Sequence, residues 1–370
     1  MKKIVSVILC IILVLSVSGC GGDKGPKEIT ILTLENYLPE DQLKEFTKST
    51  GIAVNNVTVS TYEEIQAAVE QNPASYDLVI ACDYVMDALV KGNHLQEINY
   101  KKFDNYKYVM PGFTGKYYDP DNKFTVPYAA VGVLIGYNPA KAGIIIDSYA
   151  DLLAPDLKNS IVFTDDAEAI VGVANMALNY APDYYVEHMP DVAKILTTMA
   201  GNYSIASQKF AYAEDALIDG IASVGVLYST QLGYVVASNP DIEVVYPKEG
   251  FNCSIDSIAI TSGADAKDAA MKFINYAHDP AVNGKLTQEI AYSSTNISGK
   301  QFMDEEYRND GYNIKNDKAE TGIIGKPLSE PAKEKFTTLY KAYFLKKVPS
   351  AETGEAGETG EIPEEPEIIQ

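Results

Sequence analysis

Tryptophan is absent from the 370 residues, histidine occurs three times and cysteine four times. Each scarcity excludes something. His94, His188 and His278 are far apart in the chain and each reads as a surface or helix-end residue, so a histidine-based catalytic relay is not expected. No G-x-x-x-x-G-K-[ST] loop, G-x-S-x-G elbow or H-E-x-x-H helix occurs, which moves the weight from catalysis toward binding. Of the cysteines, Cys10 lies in an apolar leader and Cys20 at its end, leaving Cys82 and Cys253, which have no C-x-x-C or zinc spacing. Spacing does not decide whether those two form a bridge. Positive charge is short as well: 30 basic residues stand against 51 acidic ones, a net charge of −21. Nucleic acid needs a basic surface and is therefore not an expected partner. The acidic surplus attracts cationic solutes, although it serves solubility equally well.

What is present begins with a leader. Two lysines precede an apolar run over 4–15, and Val17, Ser18 and Gly19 lead to Cys20. This is the pattern of a secretory signal, too short to span a membrane. The small residues before Cys20 resemble a bacterial lipobox, so 1–19 is expected to be removed and Cys20 to carry lipid, anchoring the chain on the extracytoplasmic face of the cell membrane. Residues 20–26 suit a tether. At the other end, seven glutamates lie among Gly, Pro and Thr after Ser350, so 349–370 is expected to be an acidic disordered tail.

Between these ends, short β-type runs alternate with helical patterns. Strands are expected at 28–33, 53–60, 76–80, 160–163, 222–228 and 242–246, and helices at 40–49, 62–70, 84–91, 148–153, 167–179, 211–218 and 230–238. Longer helices are expected at 265–279 and 330–348. Such alternation predicts an α/β fold with a largely parallel sheet. The long apolar run 125–137 reads as leaving one lobe and 254–261 as returning, which would leave a cleft between two lobes.

The stretch SIVFTDDAEAIVGVA, 160–174, carries Asp165, Asp166 and Glu168 where a strand hands over to a helix. Asp165 and Glu168 have the spacing of a capping box, and negative charge in a first turn suits the helix dipole. They are expected to hold the helix start. Asp166 then faces the cleft, since such turns are where α/β proteins place ligand groups. Among 26 tyrosines and 11 phenylalanines, Tyr37, Tyr84, Tyr228 and Tyr292 fall at or just after predicted strand ends. With Asp166 and Asp256 they describe a pocket with aromatic walls and acidic ends, in which an ammonium gains cation–π contact and a charge-assisted hydrogen bond.

Several stretches together resemble the spermidine/putrescine-binding proteins of bacterial polyamine ABC importers: NYLP at 36–39, KEFTKSTG at 44–51, YDLV at 76–79 with Asp83-Tyr84, TDDA at 164–167, VYPKEG at 245–250, DSIA at 256–259 and IAY at 290–292. The resemblance follows the chain from 28 to 347 and implies the two-lobe periplasmic-binding fold of type II, with two crossings and the ligand between the lobes. Lobe 1 would comprise 27–131 and 257–301, and lobe 2 would comprise 132–256 and 302–348. The family's ligand positions carry over to Tyr37, Tyr84, Asp166, Tyr228, Asp256 and Tyr292, with Asp166 and Asp256 taking ammonium groups. Leu34 and Ser254 stand where the family offers tryptophan walls, Cys82 where it has serine and Ala169 where it has a glutamate. Glu35, Asp83 and Glu168 lie beside the altered places as candidate substitutes.

The resemblance therefore implies a lipid-anchored, monomeric solute-binding protein that delivers a polyamine to an ABC permease and ATPase, with no cofactor and no catalysis. Other readings weighed on the sequence are the same role for thiamine, an aminophosphonate or ferric iron, an amine sensor, and an extracytoplasmic enzyme. Iron needs clustered tyrosines or carboxylates, and Tyr184-Tyr185 is the candidate.

Overall fold

The computed structural model describes residues 28–183, 189–326 and 328–345. The leader with Cys20, Tyr184, Tyr185, His188 and the acidic tail lie outside them. The strands are β1 (Glu28–Leu34), β2 (Ala53–Val59), β3 (Leu78–Cys82), β4 (Leu95–Gln96), β5 (Thr125–Tyr137), β6 (Ile161–Phe163), β7 (Val224–Tyr228), β8 (Glu243–Val245), β9 (Phe251–Thr261), β10 (Ser293–Ser294) and β11 (Gly322–Ile323). Their main path runs β2-β1-β3-β9-β5-β7-β6. β1 is parallel to β2 and β3, and β6 is parallel to β7. β9 is antiparallel to both β3 and β5.

The expected two-lobed α/β fold forms, and β5 and β9 make its two crossings. β5 pairs with β9 from Thr125 to Gly132 and then with β7 from Val133 to Tyr137. One strand thus leaves the first sheet and enters the second without an intervening loop, and β9 brings the chain back beside it. Near the start of β5, Pro127 has no N–H to give to the ladder, and the register shifts between Pro127 and Ala129. Its carbonyl accepts the Thr295 hydroxyl at 2.9 Å.

Both faces of each sheet are covered, so the strands read as nearly unbroken apolar runs. Ile29, Ile31, Leu78, Ile80, Ile258 and Ile260 pack into one core, while Leu32, Val79, Ala81 and Ala259 pack into the opposite one. In the second lobe, Val133, Ile135, Val224 and Val226 face one core and Leu134 and Leu227 the other. This is the period of two expected for strands, and each large aliphatic side chain so buried contributes about 1.5–3 kcal/mol.

Several elements differ from expectation. The helical run at 265–279 is the helix Lys267–Ala277, and a second helix, Pro280–Glu289, follows it directly. Pro280 is suited to a first turn but not to a helix interior, and the Asp279 side chain caps the new helix through the Ala281 amide. His278, at that junction, is fully buried, with its ring nitrogens 2.7 Å from the Ile274 carbonyl and 2.9 Å from that of Pro127. The last helix keeps α geometry only over Glu330–Leu339 and continues as a π-helical turn, Tyr340–Leu345. Residues Tyr149–Leu153 form a 3-10 turn, and the helix Met189–Asn202 was not anticipated. Cys82 and Cys253 are both buried and free.

Gly132 sits where β5 changes partner, and a Cβ there would stand 2.7 Å from the Phe251 ring. Gly132→Ala is therefore expected to lower the unfolding free energy by about 1–3 kcal/mol through overpacking. Urea denaturation of the two proteins measures this, and an unchanged midpoint would show that the ring yields freely.

Candidate functional site

Asp256 lies where β9 pairs with β3, opposite Cys82, and is 2% exposed. Its Oδ2 accepts hydrogen bonds from the Tyr37 hydroxyl and, at 2.8 Å, from the Tyr62 hydroxyl. Burial pushes its carboxyl up to about 7, against the opposing pull of those two donors. Burial and the neighbouring carboxylate push both tyrosine hydroxyls upward, so they stay protonated and donate. Tyr128 and Tyr292 complete an aromatic enclosure, with ring centroids 5.8 and 6.2 Å from that of Tyr37. The Tyr128 hydroxyl is buried and has no hydrogen-bond partner among the described residues.

Asp166 opens the helix Ala167–Met176 directly after β6. Its Oδ1 accepts from the Ala169 amide at 2.8 Å, and its Oδ2 accepts from the Tyr228 hydroxyl at 2.9 Å. This corrects the expected division of labour. Asp166 itself caps the helix while presenting its other oxygen to Tyr228, and Asp165 instead takes the Tyr340 hydroxyl at 3.4 Å. One carboxylate has room for both tasks because its oxygens carry separate lone pairs. Glu168 lies exposed on the first turn, its carboxyl pushed up by partial desolvation and drawn down by the Lys333 ammonium.

A cavity of about 550 Å³ opens between the lobes, lined among others by Tyr84, Asp83, Asp166, Glu168, Tyr228 and Ser254. Ser254 and Asp256 are two residues apart on β9 and so share a face of the strand. The Asp256 enclosure therefore continues the cavity along that face, and the T-shaped pair Tyr62–Tyr84, 6.1 Å between centroids, joins the two parts. Six carboxylates line the cavity, those of Glu63, Asp83, Asp166, Glu168, Asp183 and Glu330, against the two lysines 326 and 333. Such an imbalance in a partly desolvated cleft favours cations.

The structure thus brings together Tyr37, Asp256 and Tyr292 in one cluster and Tyr84, Asp83, Asp166, Glu168 and Tyr228 in the adjoining cavity. It sets Glu35 apart: that side chain is exposed, accepts from Ser60 at 3.4 Å and does not line the cavity. Asp83 is buried with Oδ2 already engaged by the Ser254 hydroxyl at 2.8 Å and the Ile255 amide at 3.1 Å. It ties the first lobe to a crossing strand, and burial pushes its carboxyl upward. Sequence reasoning missed Tyr62, Tyr128, Glu63 and Lys333. A capping box formed by Thr61 and Glu64 was legible and would have set Tyr62 on the first turn after β2. Glu63 accepts the Tyr84 hydroxyl at 3.1 Å. Among the described residues, no group of three or more His, Cys, Asp or Glu is placed to hold a metal ion.

Residues 41–321 match the family described as bacterial extracellular solute-binding protein. The spermidine/putrescine-binding periplasmic protein of Salmonella typhimurium is 30% identical over 281 residues, covering 74% of this chain and 79% of that one. A protein of the same name, numbered 1, from Haemophilus influenzae is 26% identical over 84% of this chain and 90% of its own length. Among solved structures, a spermidine/putrescine ABC transporter substrate-binding protein from Streptococcus pneumoniae superposes with a TM-score of 0.70. It is 21% identical and covers 87% of this chain and 99% of that one. At that identity the likeness is one of fold.

The elevated Asp256 carboxyl makes the ligand-free protein sensitive to pH. Below about pH 4 folded and unfolded chains both hold this proton; between about 4 and 7 only the folded chain does. The contribution of Asp256 to stability is therefore largest at low pH, falls as pH rises through that window and levels off above it, by an amount on the order of 4 kcal/mol. Asp256→Asn removes this slope, so in urea denaturation at pH 4.5, 6 and 8 the variant gains on the wild type as pH rises. A difference independent of pH would show that the carboxyl is not held protonated.

Proposed function

The chain belongs to the bacterial extracellular solute-binding protein family, and from that premise we propose that it is the polyamine-binding component of an ABC importer, a transport protein and not an enzyme. The observation that carries this reading is the pair of carboxylates Asp166 and Asp256. One opens a helix of the second lobe, the other lies where β9 enters the first sheet, and tyrosine hydroxyls hold both. A diamine is an apolar stem with a cation at each end. Two separated carboxylates meet its ends, and the rings of Tyr37, Tyr84, Tyr228 and Tyr292 flank its stem and offer their faces to its ammonium groups.

Release of the solute to a permease follows from the architecture. A ligand shifts the balance between open and closed lobes only as far as it binds one state better. A ligand bridging Asp166 and Asp256 makes its full set of contacts only when both lobes close on it. In the same reading the lobes divide as 27–131 with 257–301 and 132–256 with 302–348. The protein works as a monomer outside the cytoplasm, held to the membrane by lipid on Cys20 through the tether 20–26.

Thermal unfolding of the purified protein against putrescine, cadaverine, spermidine, spermine, thiamine and an aminophosphonate tests the assignment. A ligand at a hundred times its dissociation constant adds about 2.7 kcal/mol of stability, and the expected responders are polyamines. A shift with thiamine or the aminophosphonate alone would overturn it. Asp166→Asn keeps a good helix cap while removing the charge. It is expected to weaken amine binding by roughly 10- to 100-fold, the worth of a hydrogen bond to a charged group, with the ligand-free midpoint nearly unchanged. Unaltered affinity in this variant would remove Asp166 from the binding site.

A further inference from the structure

The cleft already contains an ammonium belonging to the protein itself. Lys333, on the helix Glu330–Leu339 of the second lobe, lines the cavity. Its Nζ stands 6.0 Å from the centroid of the Tyr84 ring, which belongs to the helix Asp83–Lys91 of the first lobe. The same nitrogen is 3.3 Å from Glu330 Oε1, and its charge acts on Glu168. A tyrosine face with carboxylates around it is the environment an amine ligand requires. Lys333 therefore holds, from within the chain, contacts that a ligand ammonium would otherwise make.

We propose that Lys333 is a specificity-determining residue whose ammonium occupies the cation place between Tyr84 and Glu330, limiting the ligand to a diamine held by Asp166 and Asp256. This rests on the amine-binding reading above and adds the length of the amine to it. After Asp166 and Asp256 have taken two ammonium groups, Glu168 and Glu330 are among the lining carboxylates left for a third. Both already face Lys333, so a third ammonium on a longer polyamine would meet like charge instead of a free partner. A site that rejects a competitor by placing an unfavourable charge against it discriminates without needing better contacts to its own ligand.

Calorimetric titration of putrescine and spermidine into the wild type, Lys333→Met and Lys333→Arg tests this. The wild type is expected to bind putrescine at least about tenfold more tightly than spermidine. Lys333→Met keeps a long side chain without the charge. It should tighten spermidine binding by about tenfold while putrescine stays within about threefold. Lys333→Arg, which keeps the charge, should retain the wild-type ratio. Melting curves of both variants without ligand confirm that they are folded. A wild type that prefers spermidine, or a Lys333→Met protein with an unchanged ratio and intact putrescine binding, overturns this inference alone. A wild type that binds neither amine overturns it together with the reading on which it rests.

Discussion

The pairing of β5 with β9 is the contact on which the rest of the molecule depends. Each strand belongs to both lobes, and their antiparallel register from Thr125–Ala259 to Gly132–Cys253 is the part of the sheet path that joins the two halves among the described residues. The register also fixes the site. It sets Asp256 beside the first sheet and Ser254 two residues earlier on the same face, where Asp83 holds it. A slip of one residue would turn both side chains to the opposite face, and the Tyr37–Asp256–Tyr62 cluster would be lost with it.

Around that pairing the protein solves a problem of charge. A carboxylate as deeply buried as Asp256 is unfavourable unless it is hydrogen-bonded or protonated. Here Tyr37 and Tyr62 hydrogen-bond it, and burial still keeps its carboxyl far above an ordinary aspartate. Such a group is poised for a cation, because an ammonium supplies the one stabilising element that the two hydroxyls leave out. Asp166 reaches a comparable state differently, with one oxygen satisfied by a helix amide and the other by Tyr228. The two carboxylates are therefore held by like chemistry but are unequal in burial.

The absence of tryptophan acquires a structural meaning in this setting. Without an indole, the chain builds aromatic surface from smaller rings set edge to face, Tyr37 against Tyr292 and Tyr62 against Tyr84. Each tyrosine also brings a hydroxyl, and these hydroxyls hold Asp256, Asp166 and Glu63. Aromatic surface is thus exchanged for oriented donors. At Ser254 the exchange goes further, since that hydroxyl is spent on Asp83.

Much of this was legible beforehand. Strand alternation and the crossing runs follow from periodicity, and residues carried over by resemblance lie either along one cavity, as Tyr84, Asp166 and Tyr228 do, or in the cluster beside it, as Tyr37, Asp256 and Tyr292 do. Less legible were Tyr62, Tyr128 and Lys333, which ordinary helix and strand patterns conceal. The role of Asp165 was misassigned because the capping spacing alone does not say which of two adjacent aspartates turns back to the helix. By itself, then, the sequence determined the α/β alternation, the acidic character and the residue types available for a cation. Only the tertiary structure decided how each carboxylate is held, since that depends on partners more than 60 positions away, such as Tyr228 for Asp166 and Tyr37 for Asp256, and packing alone brings such groups together.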